Sequence, residues 1–365
     1  MGSSTGVRVL FTGQYWPGAN SLYIARAFER CGAIVRFLNE TALFPAWETK
    51  RGRIARRLLT PLIEAEWNRQ LLALVHTFQP DLVYITNAHF CWRRTLEAIR
   101  AKNIPVMCFY HDVKWVNREG SRFSKVIDRF DLVATTRHWH EAEFKAAGAR
   151  NVKVVRFGYE PSVHRPLQLE EKAMKRYGAD VTFIGTMELH RRMDLQTLLS
   201  REFPYQFRLW GNSWENIPLV SAYWQGRDVH EQEIPVIYAA SKVALHWVGW
   251  EPHGSDKELQ KGDQHNSRTF QIAACGGALM LAQRTEEHIR LFEEDKEAVF
   301  FDDVTELREK LDYWLAPHND VKRKKVAQAA RERCLNEDYS WMSVTRLFLE
   351  FFGFPCVSSR TDDKT

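Results

Sequence analysis

The sequence has few cysteines, and no two of them form a C-x-x-C pair. The six lie far apart along the chain, at Cys31, Cys91, Cys108, Cys275, Cys334 and Cys356. Structural zinc sites and disulfide frameworks need closely or regularly spaced cysteines, so this spacing argues against both. Scattered free thiols are typical of a reducing compartment, and we expect a cytoplasmic protein.

Long apolar runs and metal-binding acidic motifs are also missing. The longest uncharged apolar run, residues 270–282, is too short to span a bilayer, and we expect no signal peptide. No Asp-x-Asp follows a predicted strand, and Asp302 with Asp303 is better explained as a helix cap, so we expect no metal site. A net charge of +5 is too small to indicate nucleic-acid binding by itself.

Near-continuous apolar segments alternate with helical patterns through most of the chain. Strands that are buried on both faces have this pattern, which predicts an α/β fold with parallel sheets between helices. Strands are expected near residues 7–13, 33–39, 81–88, 104–112, 131–137, 179–186, 205–214 and 297–303, and residues 235–247 are expected to form a helix and then a strand. The length of 365 residues favours two domains.

The pattern is interrupted once, at residues 151–166, where a Gly-Tyr-Glu-Pro turn and a second proline follow a strand. We interpret this stretch as the connection between two Rossmann-like domains. The predicted boundaries are residues 1–160 and 161–340, then a terminal helix at 341–355 and a disordered tail at 356–365. Open sheets of this type bind ligands at the carboxyl ends of their strands, so we expect a cleft there.

The stretch "HNSRTFQIAACGGALML", residues 265–281, places polar residues before a buried helix. Asn266 and Ser267 are good N-cap residues, and a helix N-terminus attracts anions. Arg268 adds a guanidinium suited to phosphate oxygens, and Gln271 can bond a hydroxyl one turn later. The pattern therefore suits the diphosphate and ribose of a nucleotide; the alternative is a plain capped helix with a surface arginine.

Two glycines in the same half end predicted strands. Gly185 is followed by Arg191, and Gly211 is followed by Trp214. Small residues at strand ends let a ligand approach the backbone. Together with the helix described above, these residues predict a phosphate cradle with Trp214 as an aromatic wall. The loop 249–266 before that helix is long and polar, which is typical of either a lid or disorder.

The order of "DVTFIGT…HRR", "RLWGNSW", "IPVIYAASKVALHW" and "HNSRTFQIAACGGALML" resembles the C-terminal half of CgeB-like (spore-maturation-protein-type) glycosyltransferases, over about residues 150 to 345. The resemblance implies a GT-B fold: two Rossmann-like domains facing across a cleft, with the last helix crossing back to the first domain. It also implies a nucleotide-sugar co-substrate in the second domain, without cofactor or metal.

The same resemblance assigns residues to the donor. Gly185 and Arg191 match the family's "GT…R" turn, Gly211 and Trp214 its "G-x-x-W", and Arg268 its "N-x-R" arginine. One position departs from the family. Relatives usually have a ribose-binding glutamate where this chain has Gln271, which brings no charge.

The acceptor side is predicted at strand ends of the first half. Asp112 is the first candidate for a general base, with His111 orienting or replacing it, and His89 follows another strand. The alternative is a loop-capping aspartate beside a satisfied histidine. The loop after Gly13 carries Tyr15 and Trp16, which contact a substrate or only pack.

Residues 50–63 begin with five basic residues within 50–57 and continue with leucines and an isoleucine. A basic amphipathic stretch can lie on an anionic bilayer, which would place the protein at the inner face of the membrane. The alternative is a solvated helix face.

The leading hypothesis is a metal-independent glycosyltransferase that moves a sugar from a nucleotide diphosphate-sugar to a glycan, lipid or protein acceptor in cell-envelope or surface-polysaccharide synthesis. One alternative is a GT-B-fold binding or assembly protein with weakened catalysis, as Gln271 would allow. Another is glycosylation of nucleic-acid bases, which the small net charge disfavours.

Overall fold

The structure is a computed structural model that describes residues 6–43, 50–112, 122–249 and 262–357, without the side chains of residues 50, 51, 53, 56 and 57. Two compact units divide the chain. Unit 1 is Met1–Arg156 with Trp341–Thr365, and unit 2 is Phe157–Ser340. The sequence places the division at residue 160 instead, and the last helix in a segment of its own.

The strands are short and mostly buried. In chain order they are β1 Arg8–Gly13, β2 Ile34–Asn39, β3 Leu82–Thr86, β4 Val106–Tyr110, β5 Leu132–Thr135, β6 Val152–Val154, β7 Ala179–Ile184, β8 Phe207–Trp210, β9 Ser241–His246, β10 Leu279–Gln283 and β11 Val299–Phe301.

The α-helices lie between and after the strands. In chain order they are α1 Asn20–Arg30, α2 Lys50–Phe78, α3 Arg93–Arg100, α4 His138–Ala146, α5 Glu171–Tyr177, α6 Leu189–Leu198, α7 Glu233–Ala239, α8 Ser267–Cys275, α9 Glu286–Leu291, α10 Val304–Leu315, α11 Asp320–Asn336 and α12 Trp341–Phe351.

Unit 1 contains a parallel sheet in the order β2-β1-β3-β4-β5-β6. Every residue of β3, β4 and β5 is buried, as expected for strands covered on both faces. The strand order reverses between β1 and β3, which is where open sheets of this kind bind ligands. The terminal helix α12 packs on α1, burying Trp341, Val344 and Phe348, whereas Phe351 is 40% exposed. Phe351 therefore lies outside the buried face of this helix.

Unit 2 contains a second parallel sheet in the order β11-β10-β9-β7-β8. The order reverses between β7 and β9, so the ligand-binding edge is expected at the carboxyl ends of these two strands. The connection from β9 to β10 contains α8, whose first turn therefore begins at that edge. The two sheets confirm the predicted α/β fold, a pair of Rossmann-like units.

Candidate functional site

The first turn of α8 is held by a reciprocal cap. The Asn266 side chain accepts a hydrogen bond from the Arg268 backbone N–H at 2.9 Å, and the Asn266 N–H donates to the Thr269 hydroxyl at 3.3 Å. Asn266, Ser267 and Arg268 stay half-buried, so this turn is neither sealed nor fully exposed. Because the cap occupies the Arg268 amide, fewer free N–H groups remain for an anion than the sequence suggested.

The Arg268 guanidinium is the cation of this turn. It donates to the Gln271 side-chain oxygen at 2.7 Å, and Gln271 itself is 3% exposed. Within the described residues no carboxylate lies within ion-pair distance of Arg268. A neutral glutamine therefore orients the guanidinium without cancelling its charge, which leaves it able to bind an anion.

The Arg191 side chain forms hydrogen bonds with the segments that follow β7 and β9, the two strands between which the sheet order reverses. It donates to the carbonyl of Thr186, after β7, at 3.0 Å and to that of Trp247, after β9, at 3.3 Å, and it pairs with Glu188 at 2.9 Å. Burial lowers the pKa of this guanidinium, and the nearby charge of Arg268 lowers it further. Its Nε–H is buried without a partner among the described residues. The sheet edge thus holds two guanidinium groups close together.

Gly185 and Gly211 form one tight turn system. Gly211 has φ +126, and a Cβ there would lie 2.1 Å from the Gly185 carbonyl oxygen, so only glycine fits. The Trp214 indole N–H donates to the same carbonyl at 2.8 Å, and Trp214 has no exposed surface. The predicted aromatic wall is therefore wrong for Trp214, because the ring belongs to the core and supports the turn.

A buried hydrogen-bond chain beneath α8 escaped the sequence analysis. The Thr269 hydroxyl lies 2.8 Å from His246 Nε2 and 3.0 Å from His288 Nε2, while His288 Nδ1 lies 2.7 Å from the Gln283 carbonyl. That carbonyl requires a proton on His288 Nδ1, so Thr269 donates to His288 and accepts from His246. Burial lowers the pKa of both histidines, that of His288 to about 4. Neutral imidazoles therefore position the helix.

The predicted acceptor-side residues of unit 1 form a second polar group at the ends of β3 and β4. Asp112 Oδ2 accepts from the Asn87 amide at 3.2 Å and lies 3.1 Å from His89 Nε2. His89 and Asp112 are both about half exposed, at 48% and 44% of their side chains. Asn87 has φ +54, a conformation that asparagine tolerates and that turns the loop carrying His89.

Charges around Asp112 decide its protonation state. Burial opposes ionisation, but the hydrogen bond from His89 and the charges of His111, His89 and Arg137 outweigh it and lower the pKa of Asp112 to about 2. Burial lowers the pKa of His111, whose backbone is fixed by Asn87 and Arg137. A carboxylate this acidic is a weak base, so the pair suits His89 as the base and Asp112 as its orienting partner.

The loop after β1 ends at the same edge. Gly13 has no room for a Cβ, which would lie 2.7 Å from Ser21 Cβ and 2.9 Å from the Thr86 hydroxyl. Tyr15 is 52% exposed and Trp16 is 39% exposed. Both rings are therefore accessible next to the strand ends, as a contact with a substrate requires.

Glu40 is a further residue that the sequence analysis missed. It follows β2, is buried, and accepts a hydrogen bond from the Trp67 indole at 3.0 Å. Burial raises its pKa to about 7, against the opposing charge of His89. The one sequence signal for Glu40 is that it follows a predicted strand, as the other candidate residues do.

Comparisons with known proteins identify the fold and the class of enzyme. Residues 191–350 match a family model described as glycosyl transferase-like. The match contains Gly211, Asn266, Arg268 and Gln271 and begins at Arg191. The chain is a glycosyltransferase. No curated protein sequence matches it.

Solved structures of this glycosyltransferase's fold cover nearly the whole chain. Sucrose-phosphate synthase from Thermosynechococcus elongatus has a TM-score of 0.65 at 13% identity, over 95% of this chain and 98% of its own. A glycosyltransferase from Rickettsia africae has a TM-score of 0.63 at 11% sequence identity, and the match covers 95% of this chain and 98% of that one. HepE of Anabaena, solved in complex with UDP-glucose, has a TM-score of 0.60 at 14% sequence identity, and the match covers 94% of this chain and 98% of HepE. The fold is therefore GT-B.

Proposed function

We propose that unit 2 binds the diphosphate of a nucleotide-sugar donor at the first turn of α8. The observation that carries this proposal is the Arg268 guanidinium, which is oriented by Gln271 and has no carboxylate partner among the described residues. Arg191, which is paired with Glu188, places a second guanidinium at the reversal point of the sheet. HepE, which shares the fold, was solved with UDP-glucose, and this supports a uridine donor as the first to test.

The donor contacts follow from the chemistry of the turn. Arg268, with the Ser267 N–H, binds the diphosphate, and the positive end of α8 stabilises the charge that develops as the glycosidic bond breaks. The Gln271 amide nitrogen donates to a ribose hydroxyl, since its oxygen is engaged by Arg268. Gly185 and Gly211 hold the tight turn at the ends of β7 and β8. We propose that no metal is needed, because guanidinium groups and the helix supply the positive charge.

On the acceptor side we assign deprotonation of the attacking hydroxyl to His89. Asp112 holds the Nε2–H of His89, which leaves Nδ1 as the basic atom. The Asn87 amide fixes Asp112 in turn. This reverses the roles expected from the sequence, where Asp112 was the base, and it gives His111 only a positioning role. Tyr15 and Trp16 provide aromatic faces for a sugar acceptor.

The acceptor is proposed to be a glycan, lipid or protein of the cell envelope, reached in the cytoplasm at the inner face of the membrane. We further propose that the enzyme belongs to the CgeB-like group, in which Gln271 replaces the usual glutamate. Residues 50–63 would supply a peripheral membrane contact. No described helix is long and apolar enough to cross a bilayer.

A turnover assay tests this function. Purified full-length protein is incubated with a panel of UDP-, GDP-, ADP-, CMP- and dTDP-sugars, and release of the nucleotide is measured with and without envelope extract as acceptor. We expect acceptor-stimulated release from one donor class. Nucleotide binding without any release would support the alternative of a binding or assembly protein, and neither binding nor release would contradict the proposal.

A further inference from the structure

One face of α2 carries apolar side chains that the described part of unit 1 leaves exposed. Ile54, Leu58 and Leu62 are spaced by four residues, so they share one helix face, and they are 63%, 75% and 67% exposed. Burial of three such side chains away from water is favourable. A face of this kind indicates a partner that is itself apolar.

A basic groove lies beside this apolar face. It has a volume of about 510 Å³ and contains four cationic side chains and one carboxylate: Arg93, Arg94, Arg122, Lys125 and Glu64. Pro61, which follows Leu58 by less than one helical turn, forms part of the groove wall. Groove and apolar face therefore meet along α2.

The cationic side chains of the groove differ in whether a carboxylate pairs with them. Arg122 forms a double hydrogen bond with Glu64, and Arg93 pairs with Asp128 at 2.9 Å. Arg94 instead stacks over the Trp92 ring at 4.2 Å, and no carboxylate among the described residues pairs with Arg94 or Lys125. Two cations thus remain available for an external anion.

The chemistry of the two surfaces identifies one occupant. An apolar face next to a basic groove matches the acyl and phosphate layers of an anionic phospholipid bilayer, and the sequence adds five basic residues within 50–57 of the same helix. We propose that this surface, defined by Ile54, Leu58, Leu62, Arg94 and Lys125, docks on anionic phospholipid. The leucines enter the acyl boundary and the groove takes a headgroup phosphate.

This membrane-docking surface is tied to the acceptor side. The buried Asn68 of α2 donates to the Phe90 carbonyl at 2.7 Å and accepts from the Trp92 N–H at 3.0 Å. Both contacts fix the loop that carries His89. A docked bilayer would therefore lie beside His89, the candidate base. This link rests on the proposed function, and it favours an acceptor carried on a lipid.

Vesicle co-sedimentation without donor tests the docking itself. The full chain is mixed with vesicles of phosphatidylcholine, or of equal parts phosphatidylcholine and phosphatidylglycerol. We expect binding to the anionic vesicles only, weakened by salt, and reduced about tenfold or more by Leu58→Ser with Leu62→Ser and also by Arg94→Gln with Lys125→Gln. The exposed controls Val321→Ser with Leu335→Ser, and Arg290→Gln with Lys296→Gln, should leave it unchanged.

Equal binding to both vesicle types, or binding that either test pair leaves intact, would overturn the docking proposal. All four positions of the test pairs are exposed, so unchanged melting temperatures are expected and verify that each variant is folded. Because no nucleotide sugar is present, failure of this experiment leaves the glycosyl-transfer proposal standing. Failure of the turnover assay likewise leaves the vesicle result standing.

Discussion

Arg268 and Gln271 lie one turn apart on α8, and the guanidinium donates to the amide oxygen at 2.7 Å. The glutamine holds the arginine in place but leaves its full positive charge. In the resembling family a glutamate usually occupies position 271, and a carboxylate at this distance from Arg268 would form an ion pair. The Arg268–Gln271 pair therefore leaves the guanidinium charge uncompensated by position 271, as the proposed diphosphate site requires.

Gln271→Glu tests that exchange. The new carboxylate would pair with Arg268 and remove an amide donor, so we expect weaker binding of nucleoside diphosphate by about tenfold, the result of losing one charge-assisted contact. Isothermal titration calorimetry measures the affinity, with Gln196→Glu as control, because the half-buried Gln196 also accepts from an arginine, Arg192, outside the proposed site. Tighter binding would show that a carboxylate at 271 is the better ribose ligand and that Gln271 weakens the donor site.

His89→Gln should lower kcat by about a hundredfold or more if His89 is the base. Asp112→Asn should have a smaller effect, since it removes only the orienting carboxylate. The pKa of Asp112 is about 2, so Asp112 stays ionised at all working pH values and no limb of the pH–rate profile should belong to it.

The exposed control for this pair is His76→Gln, which should be as active as the unmodified enzyme. If His89→Gln keeps full activity while nucleotide binding is intact, the departing diphosphate rather than His89 accepts the proton.

Gly211→Ala should destabilise unit 2 by ~3 kcal/mol or more, because φ +126 is strained for alanine and its Cβ would meet the Gly185 carbonyl at 2.1 Å. Gly226→Ala is the matched control, since φ is +79 there but the space is open, and about 1 kcal/mol is expected. Urea unfolding compares the two. Equal losses of unfolding free energy in the two variants would contradict the tight Gly185–Gly211 turn.

Much of the fold could be predicted from the sequence, because strands buried on both faces appear as unbroken apolar runs. Val106–Tyr110 lies within the predicted strand 104–112, and Asp303, part of the predicted helix cap, accepts hydrogen bonds from the first turn of α10. At α1 the sequence offers Asn20 and Ser21 as capping residues, whereas the N-cap is Ala19, which makes no side-chain cap. A capping residue is recognised from local sequence, whereas the start of α1 is set by how the helix packs.

The site was harder to predict because its properties depend on contacts distant in sequence. Trp214 looked like a ligand-facing ring, but a carbonyl 29 residues away fixes its N–H inside the core. His89 and Asp112 are 23 residues apart, so spacing alone did not show which one orients the other. The predicted loop 249–266 stays a prediction, since residues 250–261 lie outside the described chain, as do residues 358–365 of the predicted tail.

Glu40 gives unit 1 a distinct pH dependence. Its folded pKa of about 7 lies above the ordinary value of 4.5, so the folded state favours its protonated form. This contribution is fully present below pH 4.5 and is lost as pH rises through 7, by roughly 3 kcal/mol at most. Glu40→Gln, which stays neutral and keeps an acceptor for Trp67, should therefore raise the melting temperature at pH 8 and change little at pH 5.

Thermal unfolding across this pH range measures the effect of Glu40, with the exposed Glu29→Gln as control. A Glu40→Gln shift of the same size at pH 5 and pH 8 would mean that ionisation of this carboxyl is not the cause.

The most direct test of the donor site is calorimetric titration of UDP, and of the other nucleoside diphosphates, into the unmodified enzyme, Arg268→Ala and the exposed control Arg290→Ala. We expect one nucleotide class to bind, an affinity at least about tenfold lower for Arg268→Ala, as loss of a hydrogen bond to a charged group predicts, and no change for Arg290→Ala. Equal affinities for Arg268→Ala and the unmodified enzyme would contradict a diphosphate site at the start of α8.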